Sequence, residues 1–315
     1  MRKRLLYVTV LVAVVLWGGS FIVTKALLES LNTFQILFIR FFVASVIFVP
    51  FLILRRSKVR WPDRKDIPLI VFAGIVSLGA GYLFETLAVS MTTASNVSLI
   101  LTLDPIIIAL LASFFLGEKI RQNAAYVALA FAGAVLVVLS DGAAITFNRN
   151  DIGGGIVIFV SMLCFAYYSI VGKKLVRVYD PFVIMAYMTF IATALHTVVA
   201  FFSGGFQAIQ QLSASQWLGA LYLGGLCTVV AFSWWYNALI HVDVSHLALF
   251  VYLIPITTII LSYFVFDERI GVLKLTGALA IILGVWLATR KKKLGKKENR
   301  KSPQITQNGH SLASS

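Results

Sequence analysis

An Asp-Pro pair, Asp104–Pro105, stands inside LTLDPIIIALLASFFLGEKI, residues 101–120, a stretch otherwise built almost entirely of apolar side chains. A carboxylate in such a setting can change protonation or act as counter-ion to a cationic solute. A charge at mid-bilayer costs about 2.5–3.5 kcal/mol on insertion scales, so such a residue usually faces a cavity or a partner. Pro105 withholds the N–H that the Leu101 carbonyl would accept in an unbroken helix. Broken or kinked helices at mid-membrane are where backbone meets solute. The pair therefore reads as a binding element on a kinked helix. A simple packing kink, with Asp104 bonded only to nearby backbone, is the plainer alternative.

Four further groups share that apolar setting: Lys25, Arg40, Glu85 and His196. Counting about 1.5 Å per residue along a helix, Asp104 lies near the midplane. On the same scale Arg40 lies roughly 5 Å, His196 roughly 7 Å, Glu85 roughly 9 Å and Lys25 roughly 13 Å toward the outer face. All five lie at the middle or in the outer half, and two cations balance two anions. One reading makes them substrate-binding or coupling groups. The other is a buried ion-pair network of Glu85 with Lys25 or Arg40, with Lys25 also able to extend toward the outer interface. Pro255 matches Pro105 in a later stretch, YLIPITTIILSYFVFDERI, and predicts a second kink.

The other polar residues have structural explanations. Asp66, Asp151 and Asp180 stand where spans begin and read as helix N-caps, two of them close to an early Pro. Ser213 and Gln216 have the spacing of a capping box. Glu118 and Glu268 fall in short connections at helix ends and read as capping or end-pairing residues, since an acid favours the N-terminus of the helix that follows. Cys164 and Cys227 have no metal-ligand or CxxC spacing and read as small packing residues. Aromatics gather at Tyr82–Phe84, Tyr167–Tyr168, Trp234–Trp235–Tyr236 and Tyr252; they suit either interface packing or a mixed apolar and polar cavity. Gly153–Gly154–Gly155 is no nucleotide loop, since no GxxxxGK[ST] occurs, and neither HExxH nor GxSxG is present.

These residues must be positioned by elements that live in lipid. The 315-residue chain is 59% hydrophobic and 13% charged, with a mean hydropathy of +0.90. A soluble domain has about 45–50% apolar and about 25% charged residues. Ten apolar stretches are long enough to span: roughly 5–28, 33–54, 68–90, 94–116, 123–140, 152–174, 181–202, 216–240, 245–266 and 273–290. Helices are expected, because lipid offers the backbone no hydrogen-bond partner and the alternation of a membrane barrel is absent. The fold class predicted is an all-α membrane protein of ten transmembrane helices. The basic N-terminus before an apolar run mimics a signal peptide, but the run continues through Trp17–Gly18–Gly19–Ser20, and it reads as a retained first helix.

The net charge of +14 is strongly polarised. With the N-terminus in the cytoplasm, 22 of the 27 Lys and Arg fall inside and 3 outside. That asymmetry predicts both termini inside and turns the charge away from nucleic acid. The tail 291–315 is polar and basic; it is expected to be disordered and to lie on anionic headgroups, each Lys or Arg contributing about 1 kcal/mol near the surface.

Sliding the chain by 150 residues superposes Ser95 on Ser245, Pro105 on Pro255, Phe114 on Phe264, Glu118 on Glu268 and Ala128–Leu129–Ala130 on Ala278–Leu279–Ala280. An offset near 148 brings Lys25 onto Lys173. The chain thus reads as two five-helix repeats, 5–140 and 152–290. Five is odd, so the repeats are inverted, an architecture common among secondary transporters.

The pattern resembles the EamA-type branch of the drug/metabolite transporter superfamily. The residues carrying the resemblance are Trp17–Gly18, Lys25, Arg40, Ser95, Pro105, Gly117–Glu118, Ser245, Pro255 and Glu268, over about residues 10–290. Asp104 departs from it, since that family usually carries a small or apolar residue there. The resemblance implies a secondary transporter of the cell membrane, often an exporter of amino acids or other small metabolites, working by alternating access. It implies no enzymatic activity and no cofactor or metal. The partners expected are a small-molecule substrate and the bilayer; the oligomeric state is left open. An intramembrane enzyme would need a nucleophile–base or metal constellation, and a non-transporting sensor would normally append a soluble domain.

Overall fold

Membrane helices begin where a side chain can serve the free N–H groups of the first turn. Several do so here. Thr33–Arg55 (α2), which follows Lys3–Leu27 (α1), starts from a capping box in which Asn32 accepts from the Gln35 N–H while the Gln35 side chain returns the bond. Asp180 caps Pro181–Phe202 (α7) through the N–H of Phe182, with Pro181 in the first turn. Ser213 and Gln216 form the predicted capping box ahead of the helix that starts at Ala214.

The computed structural model describes residues 3–57, 59–91, 101, 103–118, 124–139, 149–266 and 271–295. Among the described residues every regular element is helical. Ile67–Ala73, the π-helical Gly74–Gly81 and Tyr82–Met91 run on as α3. Asp104–Leu116 is α4, Ala124–Leu139 is α5 and Arg149–Leu175 is α6. Beyond α7, Ala214–Leu221, the π-helical Tyr222–Ala231 and Phe232–His241 make α8. Val244–Ala248, a 3-10 stretch Leu249–Tyr252 and Leu253–Phe266 make α9, and Val272–Gly295 is α10.

Six segments are long and apolar enough to cross a membrane: Leu5–Thr24, Thr33–Arg55, Ile67–Ala88, Gly153–Leu175, Pro181–Phe202 and Ala214–His241. Asp104–Leu116, Ala124–Gly133 and Leu275–Leu287 are shorter apolar helices. The outer surface agrees with lipid as solvent, since Phe114 and Phe264 are 83% and 76% exposed. In water, such rings on the surface of a folded chain would mark an interaction patch.

Some local expectations change. Asp66 stands at the N-cap position of α3 but makes no capping bond; its carboxylate instead accepts from the Tyr179 hydroxyl. Helix α6 starts at Arg149, so Asp151 falls within its first turn rather than before it. Helix α10 continues through Gly295, so the tail expected to be disordered from residue 291 begins as helix.

Helices α1 to α5 and α6 to α10 interlock rather than stand side by side. Helix α1 packs on α8 and α9, α2 on α7 and α8, α3 on α6 and α7, α4 on α6 and α9, and α5 on α10. Exchanging the first five for the last five leaves this set unchanged. Both π-helical stretches also fall at matching places, since the α-helix that follows starts at Tyr82 in one and Phe232 in the other, 150 residues apart. Glycine permits the closest crossings. A Cβ at Gly224 would lie 2.6 Å from the Arg40 carbonyl oxygen, and one at Gly133 2.6 Å from that of Gly277. Around these crossings Phe41, Phe48, Tyr236 and Tyr252 are fully buried.

Candidate functional site

The interior of the bundle holds a polar cluster where α2, α3, α4, α8 and α9 meet. Arg40 on α2 is buried, 4% exposed. Its Nε donates to Thr228 Oγ1 at 3.1 Å and its Nη2 to the Tyr82 hydroxyl at 3.0 Å. The guanidinium carbon also lies 4.2 Å from the centre of the Tyr82 ring, a cation–π distance. Thr228 belongs to the π-helical stretch of α8, and Tyr82 immediately follows that of α3. Arg40 therefore ties the two irregular stretches together, one from each half.

Both stretches are held by side chains from neighbouring helices. Ser161 Oγ donates to the Gly81 carbonyl at 2.8 Å and Trp17 Nε1 to that of Cys227 at 3.2 Å. His196 is fully buried, with Nε2 3.4 Å from the Leu78 carbonyl. Facing an oxygen acceptor, that nitrogen carries the proton. The ring stacks on Phe41 at 5.3 Å, and Nδ1 has no hydrogen-bond partner among the described residues. His196 thus braces α3 from α7, beside the cluster.

Asp104 opens α4, with Pro105 in the first helical turn, where a missing N–H breaks no bond. The carboxylate is 8% exposed and, among the described residues, its Oδ1 has no hydrogen-bond partner. The Tyr252 hydroxyl, on α9, is buried and likewise without a partner among the described residues, and it lies within electrostatic reach of Asp104. Glu85 acts electrostatically on Asp104 and on Arg40. A direct Glu85–Arg40 contact, one of the two expected pairings, is not made. Arg60 and Asp63 do form an ion pair, at 3.4 Å. The Arg40 donors go instead to hydroxyls that the sequence did not single out as its partners. The side chain of Lys25 lies outside the described residues, as do that of Pro255 and the whole of Glu268. At Pro255 the backbone remains informative. The helix is 3-10 over Leu249–Tyr252, where the Val251 carbonyl would have used the missing Pro255 N–H.

Aromatic rings wall the cluster. Trp17 packs on Phe232 at 4.8 Å and on Trp235 at 5.3 Å, while Tyr82 meets Phe232 at 6.1 Å and Phe165 at 5.2 Å. Tyr168 packs on Tyr236 at 4.7 Å. The crevice between α4 and α5, lined by Ile106, Leu110, Val127 and Phe131, is apolar and suits acyl chains rather than a polar solute.

A helical bundle with exposed aromatic rings outside and charged groups inside fits a multi-pass membrane protein. A family model for the EamA-like transporter family matches residues 4–139 and again 152–290. An uncharacterized transporter of Archaeoglobus fulgidus is 31% identical over 278 residues, covering 88% of this chain and 94% of the relative. A probable terminal-alkyne amino-acid exporter of Streptantibioticus cattleyicolor is 25% identical over 293 residues, covering 92% and 95%. A solved crystal structure shares the fold with a TM-score of 0.78 at 20% identity, covering 93% of this chain and 99% of the other. The chain belongs to the EamA-like transporter family. It is a membrane transporter, not an enzyme.

Proposed function

We propose that the protein is a secondary transporter of the cytoplasmic membrane that exports amino acids or related small solutes by alternating access. The observation that carries this reading is the buried Asp104 carboxylate. Among the described residues its Oδ1 lacks a partner, as does the Tyr252 hydroxyl within its electrostatic reach, in a cluster shared by both halves of the bundle. A carboxylate left open at mid-membrane, with aromatic walls, suits a solute ammonium or an exchanged proton. Asp104 binds or couples, with Glu85 beside it, and Lys25 works at the outer end of the same path. Arg40 and His196 shape the site from α2 and α7. Pro105 stands in the first turn of α4 in one half, and Pro255 follows the 3-10 stretch of α9 in the other. The name of the Streptantibioticus relative supports both the solute class and the outward direction.

The topology that serves this function has ten membrane-spanning helices in two inverted repeats, 5–140 and 152–290, with both termini cytoplasmic. The exchange-invariant packing and the paired π-helical stretches support the repeat. The charge asymmetry supports the orientation, and the basic tail rests on anionic lipid. Counterflow in proteoliposomes tests the reading: vesicles preloaded with an unlabelled amino acid should accumulate the labelled one. If no amino acid or amine drives counterflow while the protein remains folded, the solute class is wrong.

A further inference from the structure

From its place in the sequence Glu118 reads as a capping or end-pairing residue, and the structure pairs its carboxylate with the start of a helix 126 positions away. Helix α4 ends at Gly117, whose φ of 66° is left-handed and turns the chain out of the helix axis. The next residue, Glu118, then reaches across to the start of α9. Its Oε1 accepts from the Val244 N–H at 2.8 Å, and its Oε2 from the Ser245 N–H at 2.9 Å and the Ser245 hydroxyl at 2.6 Å. The N-cap residue of α9, Asp243, gives no side-chain capping bond. The first N–H groups of α9, in a buried turn with Val244 1% and Leu247 0% exposed, are thus served by a carboxylate from the other half of the chain.

The other side of the same elbow is also held by a charge. Buried Lys173, at the end of α6, donates to the carbonyls of Leu239 and of Val242, the latter at 2.7 Å. These are the free carbonyls at the C-terminus of α8. The α8–α9 elbow is thereby clamped between a cation on its outgoing carbonyls and an anion on its incoming N–H groups. Both charges match the polarity of the helix end they meet. Of the two, only Glu118 bridges from α1–α5 to α6–α10.

We propose that Glu118 is the latch that keeps the cytoplasmic end of the transporter shut, and that inward opening requires its release from the first turn of α9. This rests on the alternating-access reading and topology of the preceding subsection. Halves that rock about a central site must part at one end at a time. A contact that joins the halves at one end is therefore made in one state and broken in the other. Its three hydrogen bonds to a charged acceptor make it a strong contact, yet Glu118 itself is only part-buried, so water can serve the carboxylate once it is released. Gly117 has the companion role of aiming it.

The test uses accessibility beneath the latch. Cys164 and Cys227 are replaced by Ser, and Ala248, 0% exposed and three residues beyond Ser245, is replaced by Cys as the probe. A membrane-impermeant maleimide is applied from the cytoplasmic side to inside-out vesicles. The probe should react slowly with Glu118 intact. Glu118→Gln should raise the labelling rate about tenfold to a hundredfold, the scale of losing a charged hydrogen bond. Ser245→Ala, which removes only the hydroxyl bond, should raise it about twofold to fivefold. Labelling at the parent rate in a folded Glu118→Gln protein overturns the latch. If that variant does not fold, labelling at the parent rate in Ser245→Ala overturns it instead. The transport reading fails separately, on absent counterflow in the parent protein, a result that leaves the labelling comparison intact.

Discussion

Replacing Asp104 by Asn should make the protein more stable while abolishing its function. The carboxylate is 8% exposed with one oxygen unpartnered among the described residues, so the folded state holds an acid with little to compensate its charge. Asn has nearly the same shape, keeps an oxygen acceptor and cannot ionise. Full transfer of a charge to mid-bilayer costs about 2.5–3.5 kcal/mol on insertion scales, which bounds the gain from above. Partial solvation and a fractional charge reduce it to about 1–2 kcal/mol, or a rise in melting temperature of roughly 2–6 °C. The two free cysteines provide the assay. Both are buried, so a thiol-reactive dye in detergent reports unfolding directly. The difference between variant and parent should widen as pH rises, because only the ionised form carries the cost. In proteoliposomes matched for protein content, the variant should lose at least about tenfold in transport rate, equivalent to about 1.4 kcal/mol. A melting temperature below that of the parent, with transport unchanged at every pH, would refute the reasoning. Asp104 would then be a backbone hydrogen-bond partner that happens to be acidic.

Arg40 and Tyr82 should be coupled: a cycle of Arg40→Lys, Tyr82→Phe and the double variant should return about 1.5–3 kcal/mol of interaction in thermal unfolding, and additive effects would remove the strut between the two π-helical stretches. Asn32→Ala should cost about 1 kcal/mol by deleting the α2 capping box, with no change in the solutes that drive counterflow; a stability equal to the parent would show that the cap is redundant. Reporter fusions at Phe206 should read outside and those at Arg60 and Arg300 inside, and a cytoplasmic signal at Phe206 would overturn the orientation.

Much of this molecule is written locally, and those parts were legible. Hydropathy names the solvent without reference to any contact, because a helix satisfies its own backbone wherever lipid surrounds it. The Asp180 cap and the Ser213–Gln216 box are read from residues two or three positions apart, the range over which a side chain can reach its own first turn. The 150-residue register aligned Pro105 with Pro255 and Glu118 with Glu268, and it paired Ser95 with Ser245. That register held the one clue to the latch, since Glu118 and Ser245 both belong to the duplicated pattern.

Other features depend on where helices cross, and no local rule reports a crossing. Arg40 meets Thr228 across 188 positions, and Glu118 meets Ser245 across 127. Both were assigned partners by charge sign or by nearness in sequence, which led to Glu85 for one and the following helix for the other. The π-helical stretches of α3 and α8 were invisible for the same reason. A widened turn is tolerated where neighbouring side chains meet its carbonyls, as Ser161, His196 and Trp17 do. Composition and spacing alone determined that this chain lies in a membrane and that Asp104 is out of place, and they supplied the reading of a repeat. Tertiary structure alone decided which buried charges are satisfied and which remain open, because a hydrogen bond exists only where two helices bring its donor and acceptor to about 3 Å.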